Sequence, residues 1–380
     1  MQRKKFSQIA KVMPFVFMYL FLLSSPMVVH ADTGAQEIGK VLPTASGTIA
    51  DVEAGVGNYV YVAEYSLSNV LLVVDISTPS TPVVIGTEVR GVTAVARCID
   101  VNDDETIAVI GASNFLLVFD ISDKANPNRT VAFTTGGGTI YDVEIVGDLV
   151  YCACQSNLRV INISDIYNPT IHYIHGSGVA AGVDYDATRN VLYVAGGNSG
   201  GAMVWGLFPN GTPYIRDSIS LQGNFGSCIE KLSDTRIAAG DDYGIIYIID
   251  TTNLDDISIL GSMDVGSWAN EIAYNTSLGN YLLVAEYNDN LNVVSFSSAS
   301  SPSLTRKMTA SGDSSGEGVS IMGNYVYFAA YHALYIYNLS DCIPSGIADI
   351  PGFNILYLLI SMLLIVPVVI FIKKQRINIL

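Results

Sequence analysis

Basic residues are scarce in the body of this 380-residue chain. Of its 19 lysines and arginines, seven (Arg3, Lys4, Lys5, Lys11, Lys373, Lys374 and Arg376) sit in the terminal segments, whereas all 35 acidic residues lie between them. The net charge of −16 therefore understates how acidic the middle is, and nucleic acid is not an expected partner. Histidine is nearly absent: beyond His30 near the start, only His172, His175 and His332 could serve as a base or metal ligand. His172 and His175 are three apart on an expected outer strand, so they face opposite ways and make no metal site. Cysteine is both scarce and odd in number, at five. Cys152 and Cys154 point to the same face of one strand and cannot easily bond each other, so no disulfide framework is expected. The chain has no contiguous Asp-x-Asp-x-Asp-Gly loop to concentrate cation ligands and no tryptophan-aspartate repeat signature. Gly-x-Ser-x-Gly occurs at 197–201 and 312–316, but neither stretch lies between a strand and a helix as a nucleophile elbow requires. Both read as loops.

The two ends have their own character. Residues 1–31 combine a basic start, an apolar run from Val12 to Leu23 and the small-x-small ending Val29-His30-Ala31, which predicts a secretory signal peptide cleaved before Asp32. Residues 353–372 are nearly uncharged and long enough to cross a hydrocarbon core of about 30 Å, with Pro367 tolerated inside the span. The basic tail at 373–380 places that end in the cytoplasm and the acidic middle outside. Five Asn-x-Ser/Thr sequons begin at Asn128, Asn162, Asn210, Asn275 and Asn338; surface glycosylation and ordinary turn chemistry account for them equally.

What the middle has in abundance is repetition. Val70 to Pro82 (Val-Leu-Leu-Val-Val-Asp-Ile-Ser-Thr-Pro-Ser-Thr-Pro) recurs as a near copy at Phe115 to Pro127 and with decreasing fidelity five more times. The anchor position is held by Asp75, Asp120, Asn162, Gly206, Asp250, Ser295 and Asn338, at spacings of 45, 42, 44, 44, 45 and 43 residues. Self-similarity at this period signals a propeller or an array. Each unit reads as four short strands: in the first, Ile49 to Glu53, Tyr59 to Ala63, Val70 to Ile76 and a strand from Pro82. The Asp or Asn after the third strand bonds the amides of the next turn, and Gly-Asn or Gly-Asp pairs such as Gly57-Asn58 and Gly147-Asp148 make the hairpins. The seventh unit lacks its fourth strand, while Gln36 to Val41 matches the outer-strand pattern of Val84 to Val89. Pairing the termini in one blade closes the ring and removes open sheet edges. The expected fold is all-β, a seven-bladed propeller over 32–341 closed by the N-terminal strand, followed by a short stalk at 342–352 and a C-terminal transmembrane helix.

The recurring Leu-x-Val-Val-Asp-Ile-Ser with Tyr-Val-Ala upstream resembles the LVIVD repeat of secreted and surface proteins, most clearly in the first three units. That resemblance implies a β-propeller but no common activity. Separately, Ile350-Pro351-Gly352-Phe353-Asn354 ahead of the apolar segment and basic tail resembles the PGF-CTERM sorting signals of archaeal surface proteins. It implies processing near Pro351 to Phe353 and attachment to the envelope; a plain single-span anchor is the alternative.

Candidate binding residues fall in two groups. Aligning the units, with one-residue gaps in three of them, puts Asp51, Asp142 and Glu271 in one column of the innermost strand and Glu53, Asp100, Glu144, Asp184 and Glu230 in a second column two residues later. Positions two apart share a face, so eight acids are expected near one axis. Such a funnel favours cations, cationic peptides or a bound Ca²⁺ ion; a solvated channel lining is the competing account. The second group is Tyr65, Tyr243, Tyr287 and Tyr331, which follow the second strand on loops of one face, as a binding surface or as turn packing. The functional expectation is a membrane-anchored surface module recognising an extracellular protein or glycan; the alternative is an extracellular hydrolase or lyase using a cation held by the inner acids.

Overall fold

The computed structural model describes residues 35–343 apart from 44–46, 66–68, 90–93, 177, 179, 197–200, 224, 289 and 311–314. The expected signal peptide, transmembrane helix, sorting motif and basic tail lie outside the described residues, as do most of both Gly-x-Ser-x-Gly stretches. Among the described residues no helix is long and apolar enough to cross a membrane. The repeats lie in one compact unit, Ala31–Ser345.

Alternation of apolar and polar residues over five to eight positions, punctuated by Gly, Asn and Asp, produces strands throughout. The described residues form seven four-stranded antiparallel sheets. Six are built from consecutive strands, the first from Thr48–Ala54, Tyr59–Tyr65, Asn69–Asp75 and Val83–Val89. The seventh joins Gly316–Met322, Tyr325–Ala330 and Ala333–Asn338 to the N-terminal strand Glu37–Val41. Its register pairs Gly39 with Ile336, Lys40 with Tyr335 and Val41 with Leu334, so the chain ends meet in one blade as their pattern requires.

The apolar interior is divided among the blade junctions. One cluster packs Tyr61, Leu71 and Val73 of the first blade on Ile110, Leu117 and Phe119 of the second. Another packs Val60, Leu72 and Val74 on Tyr327, Leu334 and Ile336 of the seventh. Each fully buried branched side chain contributes about 1.5–3 kcal/mol, so the ring is held by many equivalent contacts between neighbours. The anchor residues act as expected: Ser77 N–H donates to Asp75 at 2.8 Å, Ser122 N–H to Asp120 at 3.0 Å, Ser164 N–H to Asn162 at 2.9 Å and Thr252 N–H to Asp250 at 2.7 Å.

Two backbone devices recur. A glycine in the outer strand lets the next blade's proline turn press against it: a Cβ on Gly39 would lie 2.0 Å from the Pro79 carbonyl oxygen, and one on Gly86 2.2 Å from that of Lys124. A Cβ on Gly261 would likewise lie 2.4 Å from the Ala299 carbonyl oxygen, so in these three outer strands the glycine is a docking seat. The second device is a bulge near the start of every inner strand. The register slips between Ile49 and Asp51, Ala96 and Cys98, Ile140 and Asp142, Ala180 and Gly182, Gly226 and Cys228, Ala269 and Glu271, and Gly316 and Gly318. Each slip sets two residues against one partner and re-aims a side chain.

Candidate functional site

The inner strands of all seven blades surround an axial cavity of about 390 Å³, and all eight acids of the two columns line it. Their convergence follows from strand alternation, since both columns share the face turned to the axis.

Most of these acids also join one blade to the next. Each junction between inner strands is bridged by one side-chain oxygen that accepts a backbone N–H from the next blade. Asp51 accepts from Ile99 at 2.9 Å, Asp100 from Ile145 at 2.5 Å, Asp142 from Val183 at 2.8 Å and Asp184 from Lys231 at 2.5 Å. Glu230 accepts from Tyr274 at 3.2 Å, Glu271 from Val319 at 2.5 Å, and the Ser320 hydroxyl closes the circle from Ala54 at 3.1 Å. The two columns are complementary. Where the first holds Asp51, Asp142 or Glu271, that residue makes the bridge. Where it holds Cys98, Gly182, Cys228 or Gly318, the second-column residue does so instead. Asp51, Asp100 and Asp142 also accept the N–H of the residue that follows them, at 2.7, 2.7 and 2.8 Å. Glu53 and Glu144 bridge no junction. The eight acids thus gather at the axis as the two columns require, and six of them also accept backbone amides, which alternation alone could not foresee.

Crowding changes their protonation. Burial pushes the Asp51 carboxyl up to about 8 against the opposing Ile99 and Val52 amides, with the Asp142 charge adding to the rise. Asp100 and Asp142 rise to about 7, again chiefly through burial. Asp184 reaches about 6, restrained by the Lys231 amide and charge. Burial holds Glu53, Glu144, Glu230 and Glu271 well above the usual carboxylate range, with neighbouring acids adding to it. Gly318 leaves room for two of these groups to meet, since a Cβ there would lie 2.4 Å from Asp51 Oδ1 and 2.9 Å from Glu271 Oε2. Among the described residues no group of three or more His, Cys, Asp or Glu side chains is placed to hold a metal ion. All five cysteines are buried free thiols.

Above the carboxylates the channel opens into a mouth of about 610 Å³. Its floor is the ring of bulged residues: Ala50, Arg97, Tyr141, Ala181, Ser227, Asn270 and Glu317. Phe225, Trp268, Tyr65 and Tyr331 form much of its wall. Tyr141 meets the Phe225 ring edge-on at 5.7 Å, Phe225 meets Trp268 at 6.0 Å, and the Arg97 guanidinium lies 5.7 Å from the Tyr141 ring centre. Asn270 is oriented by donating its amide to the Gly316 carbonyl at 2.7 Å. Burial raises the Glu317 carboxyl, and Arg97 opposes the rise.

The four loop tyrosines divide. Tyr65 and Tyr331 line the mouth, whereas Tyr243 and Tyr287, each 54% exposed, line neither it nor the channel. His172 and His175 lie on the outer strand Thr170–His175, away from the site. The bulged ring was not singled out in the sequence, although a signal was present. Between a small or apolar residue and the first acid column sits one position whose identity changes in nearly every unit of an otherwise regular repeat.

The LVIVD repeat family profile matches residues 47–87, 107–135, 137–174 and 277–309, which fall in the first, second, third and sixth blades. No curated protein matches the sequence. Among solved structures, the WD40 propeller domain of Doa1 is similar with a TM-score of 0.64 at 12% identity, over 81% of this chain and 97% of that one. The WD40 repeats of RRP9 give 0.64 at 12% identity over 82% and 99%. The propeller domain of Cps50 (Swd1) from Myceliophteria thermophila gives 0.64 at 12% over 80% and 99%. Likeness at this identity is one of fold.

Proposed function

From the premise that this chain is a seven-bladed β-propeller with LVIVD repeats in four of its blades, we propose that it is a binding protein that takes an extracellular protein or glycan at the mouth of its channel. One observation carries the reading. The same bulge occurs in all seven inner strands, yet the residues it presents are Ala50, Arg97, Tyr141, Ala181, Ser227, Asn270 and Glu317. A structural duty shared by seven blades favours repetition, as in the bridging oxygens, six of which belong to carboxylates. Diverse side chains at one symmetric position are what an asymmetric ligand requires. The mouth also has the size and composition of a binding cavity, apolar and aromatic walls with a few convergent polar groups.

The proposed setting is the cell surface. It is supported by the signal-like residues 1–31 and by the apolar segment 353–372 with its basic tail, which would anchor that end in the membrane, processed or not. The hydrolase or lyase alternative rests on the gathering of the inner acids at the axis alone.

The test is retention of the full-length protein on an array carrying glycans and secreted proteins. Tyr141→Ala should lower retention by about tenfold or more, while Tyr243→Ala on the same face should leave it unchanged. Equal retention by Tyr141→Ala together with loss by Tyr243→Ala would move the site away from the mouth.

A further inference from the structure

Resting on the mouth as the binding site, we infer that its ligand is an uncharged carbohydrate chain, with a sugar ring stacked on Trp268 and hydroxyls held by Arg97, Ser227, Asn270 and Glu317. Trp268 is 42% exposed at the mouth, and the edge of Phe225 at 6.0 Å supports its ring. A held, half-open indole offers a flat apolar face, which matches the C–H face of a sugar ring.

The polar groups beside it choose among ligand classes. Arg97 supplies only donors, the Glu317 carboxylate only acceptors, and Ser227 both. Asn270 spends an N–H on the Gly316 carbonyl and keeps its amide oxygen for an incoming O–H. Donors and acceptors on one floor suit hydroxyls, each of which donates and accepts at once. A cationic ligand would be set against Arg97, the cation of the bulged ring. An anionic ligand would sit directly over the carboxylate-lined channel. A neutral polyhydroxyl chain meets neither penalty.

The chain carries its own reporter. It has two tryptophans, of which Trp205 is 3% exposed, so a ligand at the mouth changes the emission of Trp268 almost alone. The experiment titrates the full-length protein with neutral oligosaccharides (glucan, mannan and chitin fragments) and, in parallel, with a uronic-acid oligosaccharide and oligolysine. Expected are a saturable change in emission with a neutral member, little dependence on salt, and weakening by about tenfold in Arg97→Ala and Asn270→Ala. Saturation by oligolysine or the uronate alone overturns the carbohydrate assignment and leaves the mouth in place as the site. Silence toward every probe also overturns the assignment. If retention on the array further survives Trp268→Ala and Tyr141→Ala, the mouth reading falls with it.

Discussion

Two carboxylates one turn of the pleat apart show how differently the same group serves. Asp142 accepts the amides of Val143 and Val183 at 2.8 Å each, and so joins the third blade to the fourth. Glu144, two residues on, lines the same cavity and bridges nothing, while burial and the charges of Asp100, Asp184, Asp142 and Glu53 hold its carboxyl well above the usual range. Asp142→Ala leaves two amides without an acceptor and should destabilise the protein by about 1–3 kcal/mol for each. Glu144→Gln removes a charge that the folded state disfavours, so it should raise the urea midpoint at pH 8. At pH 5, close to the ordinary carboxylate range where the penalty begins, the gain should shrink. Urea denaturation of both variants at the two pH values reads the contrast. A loss of stability in Glu144→Gln at pH 8 would mean that this carboxylate has a structural partner. The eight acids were legible as two columns because alternation is a local property. Their division into bridging and non-bridging groups was not, because it depends on which amide of the neighbouring strand lies opposite.

At the scale of the element, the outer strand is shaped by what lands on it. Gly86 sits beneath the turn of the second blade, where a Cβ would approach Lys124 O to 2.2 Å and Pro127 Cδ to 2.8 Å. Backbone cannot yield as a flexible side chain can, so Gly86→Ala should cost about 1–3 kcal/mol as an overpacked contact. Thermal or denaturant unfolding measures it, and a change under roughly 0.5 kcal/mol would show that the turn can lift away without penalty. The inner strand carries the opposite device. Its bulge interrupts period-two alternation and turns one extra residue of each inner strand to the mouth. A bulge is settled by pairing across strands, and its only local trace is an inconstant residue in a constant repeat.

For the whole molecule, the ring of bridges ties stability to pH. Carboxyls raised by burial bind more protons folded than unfolded, so their contribution is fully present below the ordinary carboxylate range of about 4 and is lost as pH rises through their folded values. For Asp184, Asp100, Asp142 and Asp51 those values run from about 6 through about 7 to about 8. Asp186 acts the other way. It is buried and paired with Lys231 at 2.6 Å and Arg189 at 2.9 Å, and its carboxyl is lowered on balance, burial opposing these partners, so its contribution fades as pH falls below the ordinary range. The melting temperature should therefore decline from pH 5 to pH 9, and Glu53→Gln with Glu144→Gln should flatten the decline. A midpoint that climbs toward pH 9 would mean that the channel carboxyls are ionised without penalty.

Period and alternation are properties of neighbouring residues, so the sequence alone determined the seven units, their four strands, the closure by Glu37–Val41 and the gathering of acids at the axis. The same local chemistry made the anchor aspartates readable as turn formers. Tertiary structure alone decided which carboxylates are engaged, that Tyr65 and Tyr331 belong to the mouth while Tyr243 and Tyr287 do not, and that Arg97, Tyr141, Asn270, Glu317 and Trp268 share one cavity. These residues come from blades far apart in the chain. Their meeting depends on ring closure and on a bulge whose register is set only when strands pair.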